Sequence, residues 1–315
     1  MRNALVASLT VSLVAALSVA TFAFDTSKSG PAGGDAAIAT APKKIAALDK
    51  VAVIGASISA GFRLGENADP FADSKLQLAH IVGASLLMEH QPVVNAADQS
   101  FFFAPVKKSE KALATVKEAE PTMIVALDYL FWFGYGQKKE EQRTLDLDKG
   151  LAGLAQFTCP ILLGDLPDMT LASNTPDPVF GKPLLAASAV PKPETLKALN
   201  AKVAAFAKEH KNVVLVPLAD LTAKLQSDAE IEVRGNKYPK GSIDKLMQGD
   251  RLHTTLEGTC AVWVFALDTW LATQKDVASA SLEFDVKKLV AKLSAKESDA
   301  IPAGAPADGT PDKTH

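Results

Sequence analysis

Short apolar runs alternate along this chain with longer segments whose apolar residues recur every three or four positions. The runs at 51–55, 92–95, 122–127, 160–163 and 213–216 are rich in Val, Ile and Leu and too short for buried helices, so they predict strands. The third, Thr-Met-Ile-Val-Ala-Leu, is apolar almost throughout, as expected of a strand covered on both faces. Helices are predicted at 71–88, 106–118, 138–157, 194–210 and 256–273, with a further amphipathic segment at 284–296. In the first of these Leu76, Leu78, Ala79, Val82 and Leu86 fall at helical spacing, and in the second Val106, Leu113 and Val116 turn inward while Lys and Glu turn outward. Gly150 and Gly153 weaken the helix at 138–157. Residues 228–240 alternate weakly and predict a small hairpin. The Pro- and Asp-rich stretch 165–193 reads as one long loop, and loops of that length inside a domain are usually functional or mobile.

Strands alternating with helices predict an α/β fold of three layers (α/β/α) around a five-stranded, mostly parallel sheet. Periodicity does not give the strand order. The chain shows no internal repeat and no second core, so a single domain at 46–297 is the simplest account. Before it, Arg2 precedes an uncharged apolar run from Ala4 to Ala20, and Thr21-Phe22-Ala23 suits a cleavage site. Residues 1–23 therefore read as a secretory signal, with an uncleaved membrane anchor as the other reading. Residues 24–45 read as a flexible linker and 298–315 as a disordered tail, both rich in small residues and without periodicity. The expected location is outside the cytoplasm, periplasmic or extracellular.

The net charge of −3, with no long basic run, argues against nucleic acid as a partner. Two cysteines make no disulfide framework. Cys159 and Cys260 read as buried free thiols, with one bridge open to an exported chain, and no metal-ligand spacing is present.

The chemistry starts at the first strand. Val51 to Ile54 end in Gly55, and Ser57 follows among the small residues Ala56, Ser59, Ala60 and Gly61, which leave its hydroxyl uncrowded. A strand, a sharp turn and an exposed serine present a nucleophile at the carboxyl edge of a sheet. A serine needs a base, and His253 is the best placed of five histidines. Asp250, three residues earlier, can hold the imidazole in the right tautomer. Together these stretches resemble the SGNH (GDSL-type) hydrolase family, whose G-D-S-x-S and D-x-x-H segments supply nucleophile, acid and base. The resemblance implies the flavodoxin-like strand order 2-1-3-4-5, no cofactor, and cleavage of a small-molecule carboxylic ester through an acyl-enzyme, with Ser57, His253 and Asp250 as the catalytic residues. It makes small acyl or lipid esters the expected substrates. A membrane becomes a partner only if the N-terminal segment is uncleaved.

The chain departs from the family in its oxyanion donors. The family's glycine after strand two is missing from Asn95-Ala96-Ala97-Asp98-Gln99, and its asparagine after strand three is replaced by Asp128. Besides the Ser57 amide, the candidate donors or binding groups are Asp98 and Gln99, through backbone N–H, and Asp128, as a neutral acid or as an orienting group. The motif aspartate before the nucleophile is Ala56. Tyr129, Phe131 and Trp132 are expected to wall the crevice, with core packing as the other reading. Asp165 and Asp168 are expected at its rim and lack a third partner for a metal. A non-catalytic ligand-binding protein on the same fold is the alternative function.

Overall fold

Five strands form a single parallel sheet in the order β2-β1-β3-β4-β5, with β1 at Val51–Val53, β2 at Val94–Asn95, β3 at Met123–Ala126, β4 at Ile161–Gly164 and β5 at Val213–Val216. This computed structural model describes residues 42–65, 75–275, 277 and 279–299. The order is the one the family resemblance implies. Ala52 pairs with Val94 on one side and Ile124 on the other, so β1 sits where successive connections leave in opposite directions. Crevices open at the carboxyl ends of strands around such a point.

The helices are α1 (Leu78–Ser85), α2 (Pro105–Ala119), α3 (Phe131–Gly134), α4 (Glu140–Leu154), α5 (Thr170–Asn174), α6 (Pro193–Glu209), α7 (Leu218–Gln226), α8 (Ile243–Leu246), α9 (Leu256–Leu271) and α10 (Val286–Asp299). α1, α9 and α10 pack on one another, and α2, α4 and α6 form a second group, so helices cover both sides of the sheet. β3 and β4 carry no exposed residue, which explains their uninterrupted apolar sequences. Each large side chain so buried contributes roughly 1.5–3 kcal/mol. Pro105 and Pro193 open α2 and α6, where a missing N–H costs nothing. Thr255 caps α9 by accepting from the Gly258 N–H at 3.0 Å. A Cβ at Gly258 would lie 1.9 Å from the Leu246 carbonyl, so only glycine lets α9 approach α8 this closely.

Several expectations need correction. The stretch 165–193 is not an unstructured loop: it contains α5 and a 3-10 turn at Ala187–Ala189, and Asp168 starts α5 by accepting from Thr170 N. α7 was not anticipated, although Leu218, Leu221 and Leu225 stand at helical spacing just after β5. α1 is shorter than the predicted 71–88. The predicted hairpin is present as β6 (Ile231–Val233) antiparallel to β7 (Asn236–Tyr238). The end of the expected linker belongs to the folded body, since Ile45 is buried and Lys43 O accepts from Ser281 Oγ. α10 likewise extends into the expected tail. The signal segment and the rest of the linker and tail lie outside the described residues. Among the described residues no helix is long and apolar enough to cross a membrane.

Candidate active site

The turn that carries Ser57 begins where β1 ends. Ile54 N donates to Val125 O, which carries the pairing with β3 one residue past the strand, and Gly55 then turns the chain. Ala60 N donates to Ala56 O and Phe62 N to Ser57 O, closing residues 56–62 into a tight coil with half-buried Ser57 near its start. Gly55 is required here, because a Cβ would stand 2.0 Å from Asp128 Oδ1 and 2.5 Å from Ser59 Oγ.

The second half of the site lies between α8 and α9. Met247 and Thr254 form an antiparallel bridge, and Gln248 N donates to His253 O. Gln248 Nε2 reaches Phe62 O and Thr254 O, both at 2.8 Å, tying this loop to the turn that carries Ser57. Arg251, at φ 57°, adopts the left-handed conformation that reverses the chain between Asp250 and His253. Asp250 Oδ1 accepts from the backbone N–H groups of Leu252 (2.9 Å) and His253 (3.0 Å), which leaves Oδ2 to face the imidazole.

Oδ2 of Asp250 lies 2.7 Å from His253 Nδ1, and His253 Nε2 lies 3.0 Å from Ser57 Oγ. Acid, imidazole and hydroxyl form one hydrogen-bonded relay. With Nδ1 protonated toward Asp250, Nε2 is left to accept the Ser57 hydroxyl. Asp250 and His253 are buried, and the imidazole stacks on Phe62 with ring centroids 4.0 Å apart. Burial disfavours the Asp250 carboxylate. The hydrogen bond and charge of His253, with the two backbone donors, outweigh it and hold its pKa below the usual carboxylate value.

The expected oxyanion donors fare differently. Asp98 N donates to Gly55 O at 3.1 Å, continuing the β1–β2 pairing, so that amide is already spent. Its carboxylate takes Lys108 Nζ at 2.7 Å and Ser100 N at 2.8 Å. Asp98 is therefore corrected from donor to local cap. Gln99 opens the short 3-10 turn that follows (Gln99–Phe103) and is not among the residues lining the crevice at Ser57. Asp128 is buried and accepts from Ala56 N, Ile58 N, Ser59 N and Ser59 Oγ. It thus holds the turn that carries Ser57, and Gln99 is not among these partners. Burial raises its pKa against the pull of those four donors.

The crevice beside Ser57 holds about 50 Å³ and is lined by Leu127, Asp128, Phe131, Asp165, Pro167, Met169, Leu218 and Leu252, besides the turn itself. Of the expected wall residues, Phe131 is in place, stacked on Tyr135 at 4.1 Å. Tyr129 is not: it is fully buried, its hydroxyl is 2.5 Å from Ser109 Oγ, and burial pushes its pKa up to about 12. Tyr129 lies past the end of β3, in the turn that leads into α3, and packs into the core against Phe101 and Phe133. Trp132 packs edge-on against Phe131 and against exposed Phe102, outside the lining. Asp165 reaches the crevice and accepts from Ala219 N at 2.7 Å, while burial raises its pKa. Cys159 and Cys260 are unbonded, the first half-buried and the second buried. Among the described residues no group of three His, Cys, Asp or Glu side chains is gathered for a metal.

Sequence reasoning missed Phe62, Arg63 and Asp177. Arg63 reaches across to Asp177 with Nη1 2.5 Å from Oδ2, and its guanidinium lies over the rings of Phe62 and Phe180. This pair ties the segment after α5 to the residue next to the one stacked on His253. Nothing local in the sequence marks Phe62 as the ring that stacks on His253, or Asp177 as the partner of Arg63.

No family model and no curated protein matches the chain. Among solved structures, it is similar to a lipase/acylhydrolase from Enterococcus faecalis (16% identity, 68% of this chain and 93% of that one, TM-score 0.40). TesA is similar at 16% identity over 71% of this chain and 99% of that one, with a TM-score of 0.39. A gut microbial diltiazem-metabolizing enzyme is similar at 11% identity over 70% of this chain and 47% of that one, with a TM-score of 0.42.

Proposed function

We propose that this protein is a serine hydrolase that cleaves a carboxylic ester through an acyl-enzyme. The observation that carries the reading is the relay from Asp250 through His253 to Ser57, at 2.7 and 3.0 Å, assembled from residues almost two hundred positions apart. Ser57 Oγ attacks the ester carbonyl while its proton passes to His253 Nε2, and the Asp250 carboxylate stabilises the imidazolium. The tetrahedral intermediate collapses as Nε2 returns that proton to the departing alcohol. A water, deprotonated by the same nitrogen, then releases the acid. The 50 Å³ apolar crevice suits a short acyl group, an acetyl in size, better than a long chain. The apolar run after Arg2 supports export as the route to its substrate.

One observation favours the alternative of a non-catalytic binding protein. Among the described residues Asp98 N is committed and the Asp128 carboxyl is taken up by the turn at 56–59, so the relay faces fewer oxyanion donors than an acyl transferase ordinarily uses. Labelling with a fluorophosphonate probe separates the two readings: Ser57 Oγ bonds to phosphorus as fluoride leaves. The hydrolase reading requires labelling of the native protein and its loss in Ser57→Ala. A folded wild-type protein that takes no label overturns it in favour of binding.

A further inference from the structure

We infer that Asp128 is a positioning residue for the nucleophile turn, gathering three of the four amides at 56–59 and leaving that of Ser57 uncommitted. This deepens the hydrolase reading and rests on it. The amides in question are consecutive. Ala56 N donates to Asp128 Oδ1 at 3.1 Å, while Ile58 N and Ser59 N donate to Oδ2 at 2.9 and 3.2 Å. Ser59 Oγ completes the set on Oδ1 at 2.5 Å. Among the described residues nothing accepts the N–H of Ser57, which lines the crevice together with Asp128. The carbonyls of the turn are also occupied: Ser57 O accepts from Phe62 N and Ser59 O from Leu78 N. The turn is thus held on both sides of the serine, and the one amide it spares belongs to the nucleophile.

A carboxyl group is the side chain that fits. It offers acceptors on both terminal atoms, and this site directs donors at both. Protonation does not undo the arrangement, because the contact with Ser59 Oγ carries a proton in either direction while the three amide bonds persist. An asparagine cannot serve. With its oxygen on the Ala56 side, its NH2 meets the N–H groups of Ile58 and Ser59 head-on, and the flipped amide meets that of Ala56. Gly55 shows how closely the carboxyl is fitted, since any Cβ there would overlap Oδ1. At this position, then, the amide that the family resemblance implies as an oxyanion donor would disorder the turn.

The test compares wild type, Asp128→Asn and Ser59→Ala by two readouts. Amide hydrogen exchange, followed by NMR, reports the turn without any assumption about chemistry. In the wild type the amides of Ala56, Ile58 and Ser59 are expected to exchange at least about tenfold more slowly than that of Ser57. Asp128→Asn is expected to release Ile58 and Ser59, and to slow fluorophosphonate labelling of the folded fraction by about a hundredfold, the scale of a misplaced oxyanion donor. Ser59→Ala removes one of four donors and is expected to keep the amide protection, with labelling slowed less than about tenfold. A purely structural Asp128 would lower the melting temperature and leave the labelling rate per folded molecule unchanged, which overturns the proposal. Labelling of Asp128→Asn at or above the wild-type rate overturns it too. Protection of Ser57 equal to its neighbours does so without any variant, even if Asp128→Asn fails to fold. If the wild type takes no label but shows the expected exchange pattern, the hydrolase reading fails and the placement of the turn by Asp128 stands.

Discussion

Replacing Asp250 with asparagine changes one atom and forces a choice on the site. The aspartate serves two sets of donors: Oδ1 accepts two backbone N–H groups, and Oδ2 accepts from His253 Nδ1. Asparagine has one oxygen. If that oxygen stays on the backbone donors, the NH2 faces Nδ1 and drives the imidazole proton to Nε2, where it blocks transfer from Ser57. If the amide flips to keep the catalytic tautomer, the N–H groups of Leu252 and His253 are buried against a donor, at about 1–3 kcal/mol each. The productive arrangement is therefore reached at a cost of about 4 kcal/mol, and at roughly 1.4 kcal/mol per decade the rate falls about a thousandfold. The assay is the rate of fluorophosphonate labelling, together with hydrolysis of a p-nitrophenyl acetate probe, on protein shown by circular dichroism to be folded. A loss of less than tenfold would refute the reasoning, because His253 would then be acting without the tautomer that Asp250 imposes.

Four other outcomes follow from the structure. Gly55→Ala places a methyl 2.0 Å from Asp128 Oδ1, so two or more bonds to that carboxyl must break; a loss of about 3 kcal/mol is expected, read as a fall in denaturant midpoint. Arg63→Met strands Asp177, whose side chain is wholly buried, and should destabilise the fold by about 3 kcal/mol in thermal melts. The carboxyls of Asp177 and Asp250 titrate lower in the folded state than in the unfolded chain. Their contribution is therefore complete above about pH 4 and lost as the pH falls further, and Arg63→Met should flatten that acid-side drop. Cys260 is buried with its pKa pushed up to about 12, so a disulfide-exchange reagent at pH 8 should modify no more than Cys159 until the protein is unfolded, when both thiols react.

The sequence by itself determined the class of fold, the existence of each sheet strand and the residues of the relay. Strands rich in Val, Ile and Leu bury both faces and announce themselves locally. A serine among small residues and an Asp-x-x-His segment are likewise short signals, complete within a few positions. Tertiary structure alone decided what each of those residues touches. Asp128 and Gly55 stand more than seventy residues apart, and the parallel pairing of β1 with β3 brings the carboxyl against a position that lacks a Cβ. The turn between β3 and α3 put Tyr129 in the core and left Phe131 at the crevice. The amide of Asp98 was spent on a ladder that no local pattern announces. Local propensity and periodicity are properties of neighbouring residues, whereas the partner of a hydrogen-bond donor depends on which distant segment folding places beside it.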